Sequence, residues 1–531
     1  MALIAEESPE QAEALAAICG PVPFANVLHP DTPPDEVRRR SEGRRAVQTP
    51  DGVMVWELLT PALAQEQLAR TALDLRAWLR AGEERGWRPA VEGATPQTDG
   101  AEVLAWLANN PKVALLVFDL DVMHLWLNDE GAPRPVVFKP EAKVVEALTA
   151  AFEAYLKARA KFGAPEEASS PGEAPPSFDQ ALQSLLATLG EALSPLFDEA
   201  LYAGARQLLV LARDWARHVP WGALRLEQGL LGELLPVTLI ESLATPTRAA
   251  RRVGPTSLVI GGAGVVGSAL RAGRACLTEQ ADVVVAGPTR AEFEELARSS
   301  NVLRVLAHGH FVNFYTDTGG ILLNEDRSAT DAAFSRQELR ALDLRGVRRV
   351  ELWSCDSGRE DDWLVGHFHH DEPSGLDGAL LLAGCEVVIS ALWKQDSLSA
   401  AMIAEAFAVL MTRSPGRPEA DRLAAAVAKF RQAVLPGGVF CEALMRRLRE
   451  GRCSDQQALE AGLDAWRAEL GATTAIQPGA LVLGATEVHR STRGSPQDRA
   501  EALLDGLRSP VAWAGWKVTL RSKEALWPSE G

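Results

Sequence analysis

Two short segments carry residue types that can do nucleophilic chemistry together. One is Ala307-His308-Gly309-His310 and the other is Ser354-Cys355-Asp356-Ser357-Gly358; each follows or closes an apolar, β-forming run, Val302–Ala307 and Val350–Trp353. A thiolate attacks a carbonyl carbon, and a nearby imidazole lowers the thiol pKa and then protonates the leaving amine. Glycine close behind each reactive residue lets the backbone approach a substrate. The amides of Gly309 and Cys355 are then candidate donors of an oxyanion hole. His310 is a rival base, but Gly309 directly follows His308 and favours the latter. Taken singly, a cysteine at a strand end is ordinarily a small buried hydrophobe, and a histidine a satisfied polar group. Their pairing at two strand ends is what points to catalysis.

The elements that must position this pair are legible in the periodicity. Apolar strand-length runs occur at Ser257–Ile260, Val283–Ala286, Val302–Ala307, Val350–Trp353 and Val387–Leu392. Helical patterns fall at Arg290–Arg298, Gln337–Leu342, Leu376–Ala383, Leu398–Met411 and Asp421–Val434. Alternation of this kind, with strands apolar on both faces, predicts an α/β fold with a mainly parallel sheet flanked by helices. Ligands of such sheets gather beyond the carboxyl ends of the strands, where His308 and Cys355 both lie. Upstream, Val113–Phe138 reads as a β-meander turned at Asn128–Gly131, followed by helix to about Arg159 and a strand at 208–211. The first hundred residues read as helical, on the stripe Leu68, Ala72, Leu75, Leu79 and a second helix at Ala101–Leu107. The predicted organisation is a helical accessory region 1–110, an N-terminal part 111–255 and a catalytic part 256–531.

Composition narrows the partners. The 531 residues are 47% hydrophobic and 24% charged, the balance of an ordinary globular protein. A net charge of −17 repels phosphate backbones and anionic lipid, so neither nucleic acid nor membrane is expected as a partner. No signal pattern opens the chain and no apolar run is long enough to span a bilayer. The six cysteines are scattered without a CxxC pair, which predicts reduced thiols and a cytoplasmic location. No cofactor or metal is implied.

His308 precedes Cys355 by 47 residues, close to the His-to-Cys separation of caspases. Here the segment resembles the CHAT domain, a caspase-like cysteine peptidase module related to separases. The family's His-Gly motif is matched by His308-Gly309, and its Cys motif by Leu352-Trp353-Ser354-Cys355-Asp356-Ser357-Gly358. Further matches are Gly375-Leu376, the run from Ala383 to Trp393, and Asp396 after it. The opening β-hairpin is similar to Ala114–Val137, the Pro-aromatic element to Pro220–Leu224, and the closing strand to Trp513–Trp516. The resemblance implies a caspase-like sheet and a Cys355–His308 dyad that cleaves a protein or peptide substrate. It further implies activation by a partner or ligand, and a place in bacterial defence or regulated proteolysis. Asp356 and Asp396 are candidate S1 acids that would select Arg or Lys at P1; Asp356 could equally bond turn amides.

Two departures from the family stand out. Trp353 is bulkier than the residue usual there and is expected to reshape the S1 pocket. Residues Arg359–Ser374 form a polar insertion whose His367, His369, His370 and Asp371 lack the spacing of a metal site and read as a loop at the cleft. Two other functions remain: a catalytically silent CHAT scaffold for protein binding, and a dinucleotide-dependent oxidoreductase. The latter would use Gly262-Ala263-Gly264-Val265-Val266-Gly267, but its acidic partner Asp282 precedes a strand where a ribose contact should follow one. If the pair is coupled, His308→Ala suppresses iodoacetamide labelling of Cys355 near neutral pH. Equal labelling of both proteins, mapped by mass spectrometry, would exclude the coupling.

Overall fold

The structure, a computed structural model, describes residues 44–48, 54–58 and most of 100–526. Outside the description lie 162–176, 244–252, 262–276, 311–319, 324–332, 355–356, 358–374, 472–494 and a few isolated positions. The helix expected around Leu68–Leu79 and the Gly262–Gly267 loop therefore fall outside the described residues.

Strands β1 (Arg44–Gln48) and β2 (Met54–Leu58) pair antiparallel in a stretch whose composition had suggested helix. The overlooked signal is Thr49-Pro50-Asp51-Gly52, a turn-forming sequence between two β-forming runs. Helix α1 (Gly100–Asn109) precedes the expected meander, β3 (Val113–Val117), β4 (Met123–Asp129) and β5 (Ala132–Phe138). Helices α2 (Ala142–Lys161) and α3 (Phe178–Tyr202) follow, the latter opened by a Ser177–Gln180 capping box. Then come β6 (Gln207–Leu211), the short pair β7 (Arg225–Leu226) and β8 (Gly229–Leu230), and β9 (Val237–Ile240).

The second half opens with β10 (Thr256–Ile260), β11 (Val283–Ala286), α4 (Arg290–Ser299) and β12 (Val302–Leu306). Three short strands, β13 (His308–His310), β14 (Gly320–Leu322) and β15 (Ala333–Ser335), form a small antiparallel sheet. Next are β16 (Arg349–Trp353), α5 (Leu376–Leu382) and β17 (Val387–Ala391). Five helices follow: α6 (Ser397–Arg413), α7 (Glu419–Val434), α8 (Val439–Arg449), α9 (Asp455–Leu470) and α10 (Pro496–Arg508). The chain closes on β18 (Trp516–Leu520), so the closing strand starts where the Trp513–Trp516 motif ends; residues 510–512 form a 3-10 turn.

Eleven of the described strands form one large sheet in the order β11-β10-β12-β16-β17-β18-β9-β6-β3-β4-β5. The segment β11 to β17 is parallel throughout. Strand β18 runs antiparallel to β17 but parallel to β9, and β6 and β3 continue in that second direction. Two parallel blocks of opposite sense, β11 to β17 and β18 to β3, therefore meet between β17 and β18, and the antiparallel β4 and β5 complete the far edge. Strands β12, β16 and β17 are buried along their whole length, which their Val, Leu and Ile content requires of a sheet covered on both faces.

Charge interrupts this apolar interior between β12 and β16. Arg304 of β12 stands opposite Glu351 of β16 in register, with Nε 3.2 Å from Oε2, both fully enclosed. Arg349 Nε donates to Glu351 Oε1 at 2.8 Å, Trp353 Nε1 donates to Oε2 at 3.1 Å, and Arg349 also reaches Glu419 of α7. Burial pushes the Glu351 carboxyl up, but the Arg304 and Arg349 guanidiniums outweigh it and hold it below its usual range. A carboxylate depressed in this way adds stability that is present above its ordinary value of 4.5 and lost as pH falls through the lower folded value. Glu351→Gln is expected to cost about 3–5 kcal/mol in urea unfolding at neutral pH, because it strands buried guanidiniums. It should also remove the Glu351 component of the acid-side fall in stability; an unchanged urea midpoint would refute the role.

Candidate active site

The register of the two central strands sets the site. Leu306 pairs with Trp353, and these are the last residues of β12 and β16. His308 and Cys355 each lie two residues further on, so their separation of 47 residues equals the register offset of the pair. Adjacent strands are about 4.8 Å apart. Cys355 and Asp356 themselves lie outside the described residues, and of His308 and His310 the backbone alone is described.

At His308 the chain leaves the large sheet and enters β13, where His308 faces Leu322, Gly309 faces Ile321 and His310 faces Gly320 across the pair with β14. Strand β14 passes directly over the end of β10. A Cβ on Gly261 would stand 2.7 Å from the Leu322 carbonyl oxygen, so only glycine permits that crossing.

Around Cys355 the flanking residues are held from three elements. The buried Ser357 hydroxyl accepts from the Ala391 amide at the end of β17 (3.0 Å) and donates to the Ser354 carbonyl (3.0 Å). The Ser357 carbonyl accepts from the Asp377 amide in the first turn of α5 at 3.0 Å. Asp377 is itself buried: its Oδ2 accepts from Ser390 Oγ at 3.1 Å and pairs with Lys517 Nζ of β18 at 2.9 Å, while Oδ1 accepts from the Gly378 amide at 2.8 Å. The segment that follows β16 is thus tied to β17, α5 and β18. None of Ser357, Asp377, Ser390 and Lys517 stood out as functional from the sequence. A signal was there: one acid inside the all-apolar helix Leu376-Asp377-Gly378-Ala379-Leu380, and one lysine inside the buried strand Trp516–Leu520.

Other residues singled out in the sequence have described contacts. Trp353 does not reshape a substrate pocket: it is 1% exposed, packs on Trp516 at 4.9 Å and Phe407 at 5.8 Å, and belongs to the core. Asp396 is the N-cap of α6, its Oδ1 accepting from the Leu398 and Ser399 amides at 2.9 and 3.0 Å. That oxygen is committed to the helix rather than to a substrate cation. Asp282 accepts the Thr256 amide at 2.8 Å across the start of β10. Cys385 is packed in the core, and burial pushes its thiol up to about 12. Among the described residues no group of three His, Cys, Asp or Glu side chains could hold a metal ion, and His367, His369, His370 and Asp371 lie outside them. No described helix is long and apolar enough to cross a membrane.

A mainly parallel sheet flanked by helices, with His308 and Cys355 beyond matched strand ends, is the caspase-like architecture expected. The sequence model of the CHAT domain matches residues 180–515, well over half the chain, and the chain belongs to the CHAT domain family. No curated protein matches. Among solved structures the chain is similar to one from the Saccharomyces cerevisiae separase–securin complex, at 10% identity and a TM-score of 0.40. That match covers 62% of this chain but 29% of the other, so this chain spans under a third of its length. Gingipain R, an Arg-specific cysteine proteinase, gives 11% identity and a TM-score of 0.29 over 59% of this chain and 72% of that one. The complex of Porphyromonas gingivalis RgpB pro- and mature domains gives 11% and 0.30, over 72% and 77%.

The insertion after Cys355 is flanked by Ser357 and Gly375, and the Asp377-to-Ser357 hydrogen bond joins the two flanks. Replacing residues 359–373 with a short Gly-Ser linker is therefore expected to leave a cooperative melt within a few degrees of wild type. Loss of that transition in circular dichroism would show that the insertion helps to build the fold.

Proposed function

We propose that this chain is a cysteine endopeptidase of the CHAT type, cleaving a protein or peptide substrate. Cys355 attacks the scissile carbonyl carbon, His308 takes up the thiol proton and returns it to the leaving amine, and the Gly309 and Cys355 amides receive the oxyanion. A water then releases the acyl group. The observation that carries this reading is the parallel register of β12 and β16, in which Leu306 pairs with Trp353 and the two reactive residues follow at equal distance. Neither β10 nor β17, the flanking parallel strands, carries such a residue at that distance: the equivalent positions are Gly262 and Trp393.

For substrate choice, Asp356 is the stronger S1 candidate, since Asp396 already caps α6 through one oxygen. An acid in that position selects Arg or Lys at P1. Activation by a partner or ligand, a cytoplasmic setting and service in bacterial defence or regulated proteolysis belong to the same proposal. So does the division into an accessory region 1–110, an N-terminal part 111–255 and a catalytic part 256–531.

Cys355→Ala should abolish cleavage in a peptide-library digest analysed by mass spectrometry, with an unchanged melt. Cleavage that persists in this variant would eliminate Cys355 as nucleophile. A folded wild type that neither cleaves nor alkylates at Cys355, with or without cell extract, would favour a silent scaffold.

A further inference from the structure

Ser357 is fully buried two residues beyond Cys355, and its hydroxyl spends both its capacities on backbone. It accepts from the Ala391 amide, which belongs to the rigid end of β17, and this fixes the oxygen against the sheet. Its one proton then goes to the Ser354 carbonyl at 3.0 Å; the Leu352 carbonyl is the distant alternative at 3.5 Å. The Ser354 carbonyl is the oxygen side of the peptide whose nitrogen is that of Cys355. A trans peptide is planar, with C=O and N–H pointing in opposite directions. A carbonyl drawn inward toward Ser357 therefore fixes the plane of the peptide that Ser354 begins.

From this we propose that Ser357 is a positioning residue for the oxyanion hole, orienting the Cys355 amide through the Ser354 carbonyl. The inference rests on Cys355 being the nucleophile. Asp377 supports Ser357 from behind, its amide donating to the Ser357 carbonyl while Lys517 and Ser390 hold its carboxylate. Ser357 never touches the substrate; it decides where an amide that does will point.

Two reagents separate this role from general support of the loop. Iodoacetamide alkylates the thiolate by displacement: the C–S bond forms, iodide leaves, and no oxyanion arises. A peptide aldehyde, acetyl-Leu-Leu-argininal, adds the thiolate to its carbonyl carbon; the π pair moves to oxygen, which takes the proton from His308. Only the second reaction uses the hole. In Ser357→Ala the rate of Cys355 alkylation should stay within about threefold of wild type, while aldehyde affinity falls about 100-fold, the scale of a lost oxyanion donor. Ser357→Thr, which keeps the hydroxyl, should restore aldehyde affinity. Ser357→Cys, a weaker donor of similar size, should fall between them and serves if the alanine variant does not fold. Unchanged aldehyde affinity in the alanine variant overturns the proposal, and so does an equal loss in both reactions. A wild type alkylated at Cys355 but inert to the aldehyde removes the hole while sparing the nucleophile. A wild type resistant to both reagents removes the peptidase reading itself, and this inference with it.

Discussion

Strands β12 and β16 read Val-Leu-Arg-Val-Leu and Arg-Val-Glu-Leu-Trp, and both are buried on both faces. Apolar packing alone would tolerate a slip of two residues between them, because every second side chain returns to the same face. The Arg304–Glu351 pair does not tolerate it. A slip would leave charges unpaired in the interior, where several kcal/mol are forfeited for each broken pair. Register is therefore specified by electrostatics inside an otherwise uniform apolar sheet. Everything beyond the strand ends inherits that register, including the level at which a histidine and a cysteine leave the sheet. Trp353 and Glu419 extend the same cluster to the indole of the core and to α7.

The closing strand couples the two parallel blocks. Along β18, Trp516 and Lys517 pair with Ala391 and Ser390 of β17, while Thr519 and Leu520 pair with Leu239 and Ile240 of β9. Successive residues of one strand point to opposite faces. Trp516 accordingly meets Trp353 of β16, whereas Lys517 reaches Asp377 of α5. Residues of β18 thus brace β16 and α5 from both sides of the sheet, although more than a hundred positions separate Lys517 from Asp377.

Much of this was legible in the sequence, for a physical reason. A parallel strand buried on both faces must be a continuous apolar run, so β10, β11, β12, β16 and β17 were found within a residue or so of their observed bounds. The positions of His308 and Cys355 after such runs were readable for the same reason. Contacts between distant segments were not. Trp353 looked like a pocket residue because its family counterpart is small, yet its ring lies against Trp516, placed there by a strand 160 residues later. The helix-capping role of Asp396, whose Oδ1 accepts two amides of α6, was equally out of sight. Ser357 passed as a motif residue, since nothing in a linear motif shows which amide a hydroxyl will meet. The direction change at β18 is likewise invisible to periodicity, which does not encode strand sense.

The residues that flank the Arg359–Ser374 insertion, Ser357 and Asp377, meet at one backbone hydrogen bond, so added length costs loop-closure entropy. That entropy grows with the logarithm of length, about 0.6 kcal/mol for each doubling. The closure entropy of this stretch therefore changes little with its length, while the Ser357–Asp377 hydrogen bond beneath it keeps the same partners.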